Sequence, residues 1–129
     1  MSGRVVHFEI PFDNAERARA FYFAAFGWEL TPMEGMDYTI VTTGPSGDQG
    51  PEEPGFINGG MFERTERLPS PVLVLDVPAI DAALAAVEAS GGSIVTGREP
   101  VGDMGFAAYA TDTEGNLVGL WETAHGEGS

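Results

Sequence analysis

The feature that most constrains the fold of this chain is an order of elements that occurs twice. Each half has an apolar strand, a helix that ends at glycine, and three further strands. His7 and Gly27 are 20 residues apart, Val72 and Gly92 have the same separation, and Val72 follows His7 by 65 residues. One half cannot bury both faces of its own sheet, so the halves are expected to share a core. The sequence predicts an α+β protein of two modules, about 4–63 and about 71–123.

Local patterns set the predicted bounds of the elements. Apolar residues recur at helical spacing over 14–26, Asp13 with Glu16 resembles a capping box, and Gly27 can end the helix. The aromatic stripe of this helix, which includes Phe21 and Tyr22, is expected to be buried as core. Alternating or β-branched runs predict the strands. The predicted helices are 14–26 and 78–91, and the predicted strands are 5–11, 28–31, 37–43, 56–63, 71–77, 93–96, 106–111 and 117–123.

The segment 44–55 is dominated by glycine, proline and acidic residues, which predicts a mobile loop outside the core. It is either a plain connector or a lid over an open face of the sheet. The strand after it contains Gly59 and Gly60, and such a pair marks a bulge or a close approach by a ligand or the backbone. The tail 124–129, which contains His125, is predicted to be frayed.

Composition narrows the partners and the location. A chain of 129 residues is predicted to form one domain. Its 20 acidic residues against 6 basic ones give a formal charge of −14, which disfavours nucleic acid and anionic lipid and is typical of a solvated acidic surface. It has no cysteine, no start typical of a signal peptide, and no run of about 20 apolar residues. The expectation is a cytoplasmic protein with neither disulfides nor a membrane span.

Candidate chemistry begins on the first strand. Alternation places His7 and Glu9 on one face, and Val6, Phe8 and Ile10 on the face that packs against helices. His7 is the only histidine outside the tail, and an imidazole beside a carboxylate can be tuned near neutral pH. His7 is therefore a candidate hydrogen-bonding group or general base in a cavity, a metal ligand, or a structural histidine.

Several stretches resemble one known superfamily. They are His7-Phe8-Glu9-Ile10-Pro11, 18–27 followed by Trp28, 82–92, and Asp112-Thr113-Glu114-Gly115-Asn116-Leu117, in which Thr113 stands where the similar turn has proline. Together they resemble the vicinal oxygen chelate superfamily, which includes glyoxalase I, bleomycin-resistance proteins and extradiol dioxygenases. The resemblance implies two tandem βαβββ modules forming a cup-shaped, half-open mixed sheet with the helices outside. It also implies a homodimer.

In the metal-dependent members, ligands come from the first and last strand of each module, typically His or Gln, Glu, His and Glu. Carried over to this chain, these positions fall on His7, Gly60, Val72 and Gly119. Only His7 has a side-chain donor, and a divalent cation needs several N or O donors. Glu122 is three residues from Gly119 and lies on the opposite face of its strand. No cofactor is therefore predicted, and a divalent metal held by groups such as His7, Glu9 and Glu122 is the alternative.

The same parity predicts which residues line the cavity. Asn58 and Phe62 share a face with Gly60, and Trp121 shares one with Gly119. The predicted lining is apolar and aromatic with a few polar groups, as is usual for organic ligands, and comprises His7, Glu9, Asn58, Phe62, Val72, Val74, Tyr109 and Trp121.

Two functions remain open at this point. The first is metal-free binding or sequestration of an apolar or aromatic small molecule, as the resemblance to bleomycin-resistance proteins implies. The second is a glyoxalase-like lyase or isomerase, or a dioxygenase, that uses His7 and Glu9 as catalytic residues with or without a divalent metal.

Overall fold

A computed structural model describes residues 3–35 and 37–124. These residues form two helices, α1 (Ala15–Phe26) and α2 (Ile80–Ala89). The strands are β1 (Arg4–Phe12), β2 (Glu29–Pro32), β3 (Tyr38–Thr42), β4 (Ser46–Gly47), β5 (Gly50–Pro51), β6 (Gly59–Glu63), β7 (Val72–Asp76), β8 (Ser93–Val101), β9 (Gly105–Thr111) and β10 (Leu117–Thr123).

The chain divides into two compact units with the same internal topology. The first unit is His7–Pro71, and the second begins at Val72 and includes the chain up to Val6. In the first, the strand order is β2-β3-β6-β1, with β6 parallel to β1 and antiparallel to β3. In the second, the order is β8-β9-β10-β7, with β10 parallel to β7 and antiparallel to β9. The predicted α+β class with tandem βαβββ modules and mixed sheets is confirmed.

Helix α1 has the predicted end but not the predicted start. Gly27 adopts φ 74°, a left-handed conformation that glycine reaches without strain, and ends the helix as expected. The N-cap is Asn14, whose side chain accepts a hydrogen bond from the Arg17 N–H, and not Asp13. Asp13 instead forms an ion pair with Arg64 at 3.0 Å. The capping-box prediction was therefore wrong by one residue, because a distant partner takes the carboxylate.

The aromatic stripe of α1 is not buried, contrary to the prediction. Within Ala15–Phe26 no residue is buried, and the stripe residues Phe21 and Phe26 are 55% and 63% exposed. Tyr22 stacks on Trp28 at a ring-centroid distance of 4.7 Å, so the aromatic side chains pack mainly on one another. Helical spacing shows which side chains lie along one side of the helix, but it does not show which other part of the protein would bury them.

Helix α2 packs on its own sheet. Its buried residues Ile80 and Leu84 form a core with Ala108, Ala110 and Leu120, and Val118 packs against this cluster. The side of β10 that carries Val118 and Leu120 therefore faces the helix, as predicted from strand parity.

Two segments contain more structure than the sequence predicts. Strand β8 runs over nine residues, well beyond the predicted 93–96, and register shifts interrupt its pairing with β9 between Ile94 and Glu99. These irregularities and the polar run after Gly97 hide the strand from a pattern search. The predicted loop 44–55 contains the β4–β5 hairpin, whose turn uses Gly50 at φ 98°.

Neither described helix is long and apolar enough to cross a bilayer. The predicted frayed tail from residue 125 onward, with His125, lies outside the described residues.

Candidate functional site

Strand register in the first module gathers the candidate polar groups on one face. Glu9 of β1 pairs with Gly60 of β6, and Gly60 pairs in turn with Ile40 of β3. Tyr38 of β3 pairs with Phe62 by the same register. Because paired residues point to the same side of a sheet and parity repeats every two residues, His7, Glu9, Tyr38 and Phe62 share one face with Gly60.

On this face, three side chains form a hydrogen-bonded chain. The Tyr38 O–H donates to Oε2 of Glu9 at 2.8 Å, and the same phenol oxygen lies 3.0 Å from Nε2 of His7. Glu9 is buried, with 7% of its surface exposed. The sequence predicts His7 and Glu9 on one face, and the structure places a tyrosine between them.

The surroundings of His7 lower the pKa of its imidazole. Burial lowers the pKa of His7 below its ordinary value of 6.5, and the carboxylate of Glu9 opposes this by raising it. Desolvation is the larger effect, so the neutral imidazole is the favoured form in the folded protein at pH 7. A neutral imidazole has one N–H donor and one nitrogen lone pair.

Tyr38 is the member of this hydrogen-bonded chain that sequence reasoning missed. A Cβ built on Gly60 would lie 1.8 Å from the Tyr38 hydroxyl oxygen and 2.1 Å from the ring carbon that bears it. The phenol therefore occupies the space in which a side chain at position 60 would stand. The interior glycine was the available signal, since it predicts a close approach by some other group, but only the β3–β6 register identifies Tyr38 as that group.

Two further predicted lining residues belong to this module. Phe62 is 8% exposed and lies on the face of Tyr38. Asn58 has defined partners: its Oδ1 accepts from the Thr43 N–H at 2.9 Å, and its Nδ2 donates to Oγ of Ser46 at 2.8 Å. Asn58 thus fastens the β4 strand to the end of β3, and its contact with a ligand stays a prediction.

The second module brings together an apolar set around Gly119. A Cβ on Gly119 would meet Val74 at 3.2 Å, Val72 at 3.3 Å and the ring of Tyr109 at 3.4 Å. The predicted lining residues Val72, Val74 and Tyr109 therefore share a face with Gly119. Trp121 lies two residues further on the same strand and donates from its indole N–H to Oγ1 of Thr123 at 3.1 Å.

Glu122 lies on the helix side of β10, as parity predicts. Its Oε1 accepts a hydrogen bond from the Ile80 N–H at 2.8 Å, and Arg98 forms an ion pair with it at 3.3 Å. The Arg98 guanidinium lies 3.5 Å from the centroid of the Phe106 ring. This carboxylate therefore binds the N-terminus of α2. The sequence left open a metal site formed by His7, Glu9 and Glu122, and that group is not assembled within the first module.

The residues at the superfamily's ligand positions do not fit a metal ion. Gly60, Val72 and Gly119 have no side-chain donor, and the space above Gly60 is filled by Tyr38. Across the described ranges, there is no group of three or more His, Cys, Asp or Glu that could hold an ion. The expectation of a metal-independent site stays a prediction, now with Tyr38 as part of its physical basis.

Comparisons with known proteins agree with this fold. Residues 4–44 match the family model described as bleomycin resistance protein-like N-terminal. The structure is similar to a hypothetical protein from Bacillus halodurans C-125, with 14% identity, 100% of both chains covered and a TM-score of 0.64. No curated protein matches the sequence.

Other similar structures are methylmalonyl-CoA epimerases, among them enzymes from two organisms. A variant of the Streptomyces coelicolor enzyme, in complex with 2-nitronate-propionyl-CoA, has 16% identity, 100% of both chains covered and a TM-score of 0.62. The Mycobacterium tuberculosis enzyme has 17% identity, with 96% of this chain and 89% of that chain covered and a TM-score of 0.61. The chain has the vicinal oxygen chelate fold, and the resemblance predicted from the sequence is confirmed. At these identities the likeness extends to the fold and not to an activity.

Proposed function

We propose that this protein binds a small organic molecule, without a metal ion, on the face of the first module that carries His7, Tyr38 and Glu9. The observation that carries the proposal is the position of the Tyr38 phenol above Gly60, bonded to both His7 and Glu9. A hydrogen-bonding group stands where a side-chain metal ligand would be in the superfamily's metal-dependent members. The site is therefore suited to orienting the polar part of an organic ligand.

The surroundings support an apolar or aromatic ligand. Phe62 is buried and lies on the same face of the first module as His7, Tyr38 and Glu9. A mostly apolar lining with a few fixed polar groups is typical of organic-ligand sites. The match of residues 4–44 to a bleomycin-resistance-like family supports binding or sequestration over turnover. The cytoplasmic location stays a prediction from the sequence.

Binding can be tested by NMR after dialysis against EDTA, with benzamide and metal-free bleomycin as probes. We expect amide shift changes that cluster at His7, Tyr38, Gly60 and Phe62, and His7→Gln should weaken binding about fivefold or more. Glu114→Gln, in the exposed turn before β10, is the matched control and should bind as the wild type does. The proposal is wrong if neither probe shifts this face, or if binding appears only after Zn²⁺ or Ni²⁺ is added.

A second candidate is metal-independent proton transfer, a lyase- or isomerase-like reaction with His7 as base. The observation in its favour is a neutral imidazole linked through Tyr38 to a buried carboxylate, on a fold shared with methylmalonyl-CoA epimerases. The charge of −14 opposes an anionic CoA thioester, so this candidate ranks second. Proton NMR in D₂O would show His7-dependent loss of the α-proton signal of methylmalonyl-CoA if the candidate is right, and an unchanged signal if it is wrong.

We also propose that the protein is a homodimer. The equivalent helices differ, because α2 buries Ile80 and Leu84 whereas α1 leaves Phe21, Phe23 and Phe26 exposed. Adjacent exposed aromatic side chains are unusual on a monomer and are enriched at interfaces. A second copy of the chain is the occupant that we assign to the side of α1 that carries Phe23 and Phe26, which are three residues apart and therefore neighbours on the helix surface.

A further inference from the structure

The position of one proton in the first module decides what kind of ligand the site accepts. The Tyr38 hydroxyl has a single hydrogen, and its donation to Oε2 of Glu9 at 2.8 Å uses it. Towards His7, whose Nε2 is 3.0 Å away, the phenol oxygen can then act only as an acceptor. Nε2 of His7 must therefore carry the hydrogen of that contact.

The other ring nitrogen of His7 follows from this assignment. In a neutral imidazole one nitrogen carries hydrogen and the other carries the lone pair, so Nδ1 is the acceptor. Burial, which lowers the pKa of His7, favours that neutral form. In the described part of the chain no buried side-chain nitrogen or oxygen lacks a partner, and the hydrogen bond of His7 to Tyr38 uses Nε2. Nδ1 is therefore not fully buried, and it is the ring nitrogen that can receive a ligand.

We propose that Tyr38 and Glu9 act as positioning residues that hold His7 as the Nε2–H tautomer, so that Nδ1 accepts a hydrogen bond from a neutral ligand with an N–H or O–H donor. This inference rests on the proposed function and specifies its ligand class. A ligand group that can only accept hydrogen bonds would face the lone pair of Nδ1 and could form no hydrogen bond with it. A carboxylate or phosphate also meets the buried charge of Glu9 in a chain with 20 acidic and 6 basic residues.

Tyr38→Phe is the variant that isolates the effect. Phenylalanine keeps the ring that packs over Gly60 and removes only the hydroxyl, so the β3–β6 contact is preserved. His7 then has no fixed acceptor at Nε2 and can adopt either tautomer. The wild-type measurements below test the proposal even if this variant folds poorly.

The tautomer is measured on the protein alone by long-range ¹H–¹⁵N NMR of the imidazoles at pH 8. His125→Gln assigns the signals, because the chain has two histidines. We expect His7 to show the Nε2–H form alone in the wild type and a mixture in Tyr38→Phe. A wild-type Nδ1–H tautomer would overturn the assignment.

The ligand class is tested with three probes of one shape: benzamide, acetophenone and benzoate. Benzamide alone offers an N–H donor, so it should bind the wild type about fivefold more tightly than acetophenone, with benzoate weakest. In Tyr38→Phe, the ratio of the affinity for benzamide to the affinity for acetophenone should fall towards one. Equal binding of benzamide and acetophenone to the wild type, or a preference for benzoate, would refute the ligand class and leave the proposed function standing. Binding of none of the three at this face would remove this inference, and if metal-free bleomycin also failed to shift this face, the proposed function would be removed with it.

Discussion

At the scale of single residues, Tyr38 and Gly60 depend on each other. The phenol needs a neighbour without a side chain, and its hydroxyl links His7 to Glu9 in the first module. A satisfied polar network of this kind fixes the orientation of its members when it is partly buried. The chemistry of the site thus rests on the missing side chain at position 60.

Gly60→Ala should therefore destabilise the protein by about 1–3 kcal/mol, because the new methyl group would overlap the Tyr38 hydroxyl. Urea unfolding followed by circular dichroism measures the change. Gly97→Ala is the control, since nothing lies within 4 Å of a Cβ there, and it should change stability by less than about 0.5 kcal/mol. Equal effects of the two substitutions would contradict the close contact.

The free energy of unfolding should decrease as the pH falls below 6.5, in part because of His7. Its pKa is lowered by burial in the folded state, so between the two pKa values the unfolded chain binds more protons than the folded chain. The stabilisation is complete above pH 6.5 and is lost as the pH falls towards the lowered pKa. His7→Gln should flatten this part of the profile of urea midpoint against pH. His125→Gln serves as the control, and a profile equally steep in His7→Gln would count against the assignment.

Sequence reasoning recovers two of the three side chains in this network. Period-2 alternation is a local property, so it places His7 and Glu9 on one face without knowledge of the fold. Tyr38 joins the network because β3 pairs with β6, a strand distant in sequence. In that pairing Tyr38 lies opposite Phe62, and Ile40 lies opposite Gly60. Register of that kind depends on the tertiary structure and has no local signature.

At the scale of elements, the start of α2 is stabilised from another part of the chain. Ala79, the N-cap residue, has no side-chain acceptor, and the Ile80 N–H is instead bound by the buried carboxylate of Glu122 on β10. An acidic group at a helix N-terminus also interacts favourably with the helix dipole. Arg98 completes the arrangement from β8.

Glu122→Ala should lower the free energy of unfolding by about 1–3 kcal/mol, because it leaves the buried Ile80 N–H without its acceptor. Glu122→Gln keeps an acceptor oxygen and should lose less. Differential scanning calorimetry on both variants gives the comparison. If glutamine were as damaging as alanine, the charge and not the hydrogen bond would be responsible.

Element bounds were predictable where the signal was local. Gly27 marks the end of α1, and the predicted 117–123 agrees with β10. The capping residue of α1 was misplaced because Arg64 pairs with Asp13 from 51 residues away. The irregular pairing of β8 and the short hairpin in 44–55 depend on partner strands, which the sequence pattern does not identify.

At the scale of the whole molecule, an acidic chain carries a set of exposed aromatic side chains on α1. The charge of −14 opposes nonspecific association, whereas Phe21, Phe23 and Phe26 favour burial against a partner. The proposed second copy would cover Phe23 and Phe26, which are neighbours on the helix surface. Added salt should strengthen the association by screening the repulsion between like-charged chains.

Phe23→Ser should weaken dimerisation about tenfold or more, as measured by sedimentation velocity over a concentration series. Phe23 is the most exposed of the three at 68%. Met104→Ser removes an apolar side chain of similar exposure, 56%, from the second module and should leave the dimer unchanged. A wild-type chain that remains monomeric at every concentration would contradict the proposed dimer.

The contact between the phenol and the backbone at position 60 also limits how descendants of this protein can evolve. A carboxylate side chain at Gly60 would displace the Tyr38 hydroxyl from its present place. Losing the tyrosine first separates His7 from Glu9 before any replacement exists. Either order of mutation disrupts the contact between His7, Tyr38 and Glu9 at the intermediate step, so we expect substitutions at positions 38 and 60 to be energetically coupled.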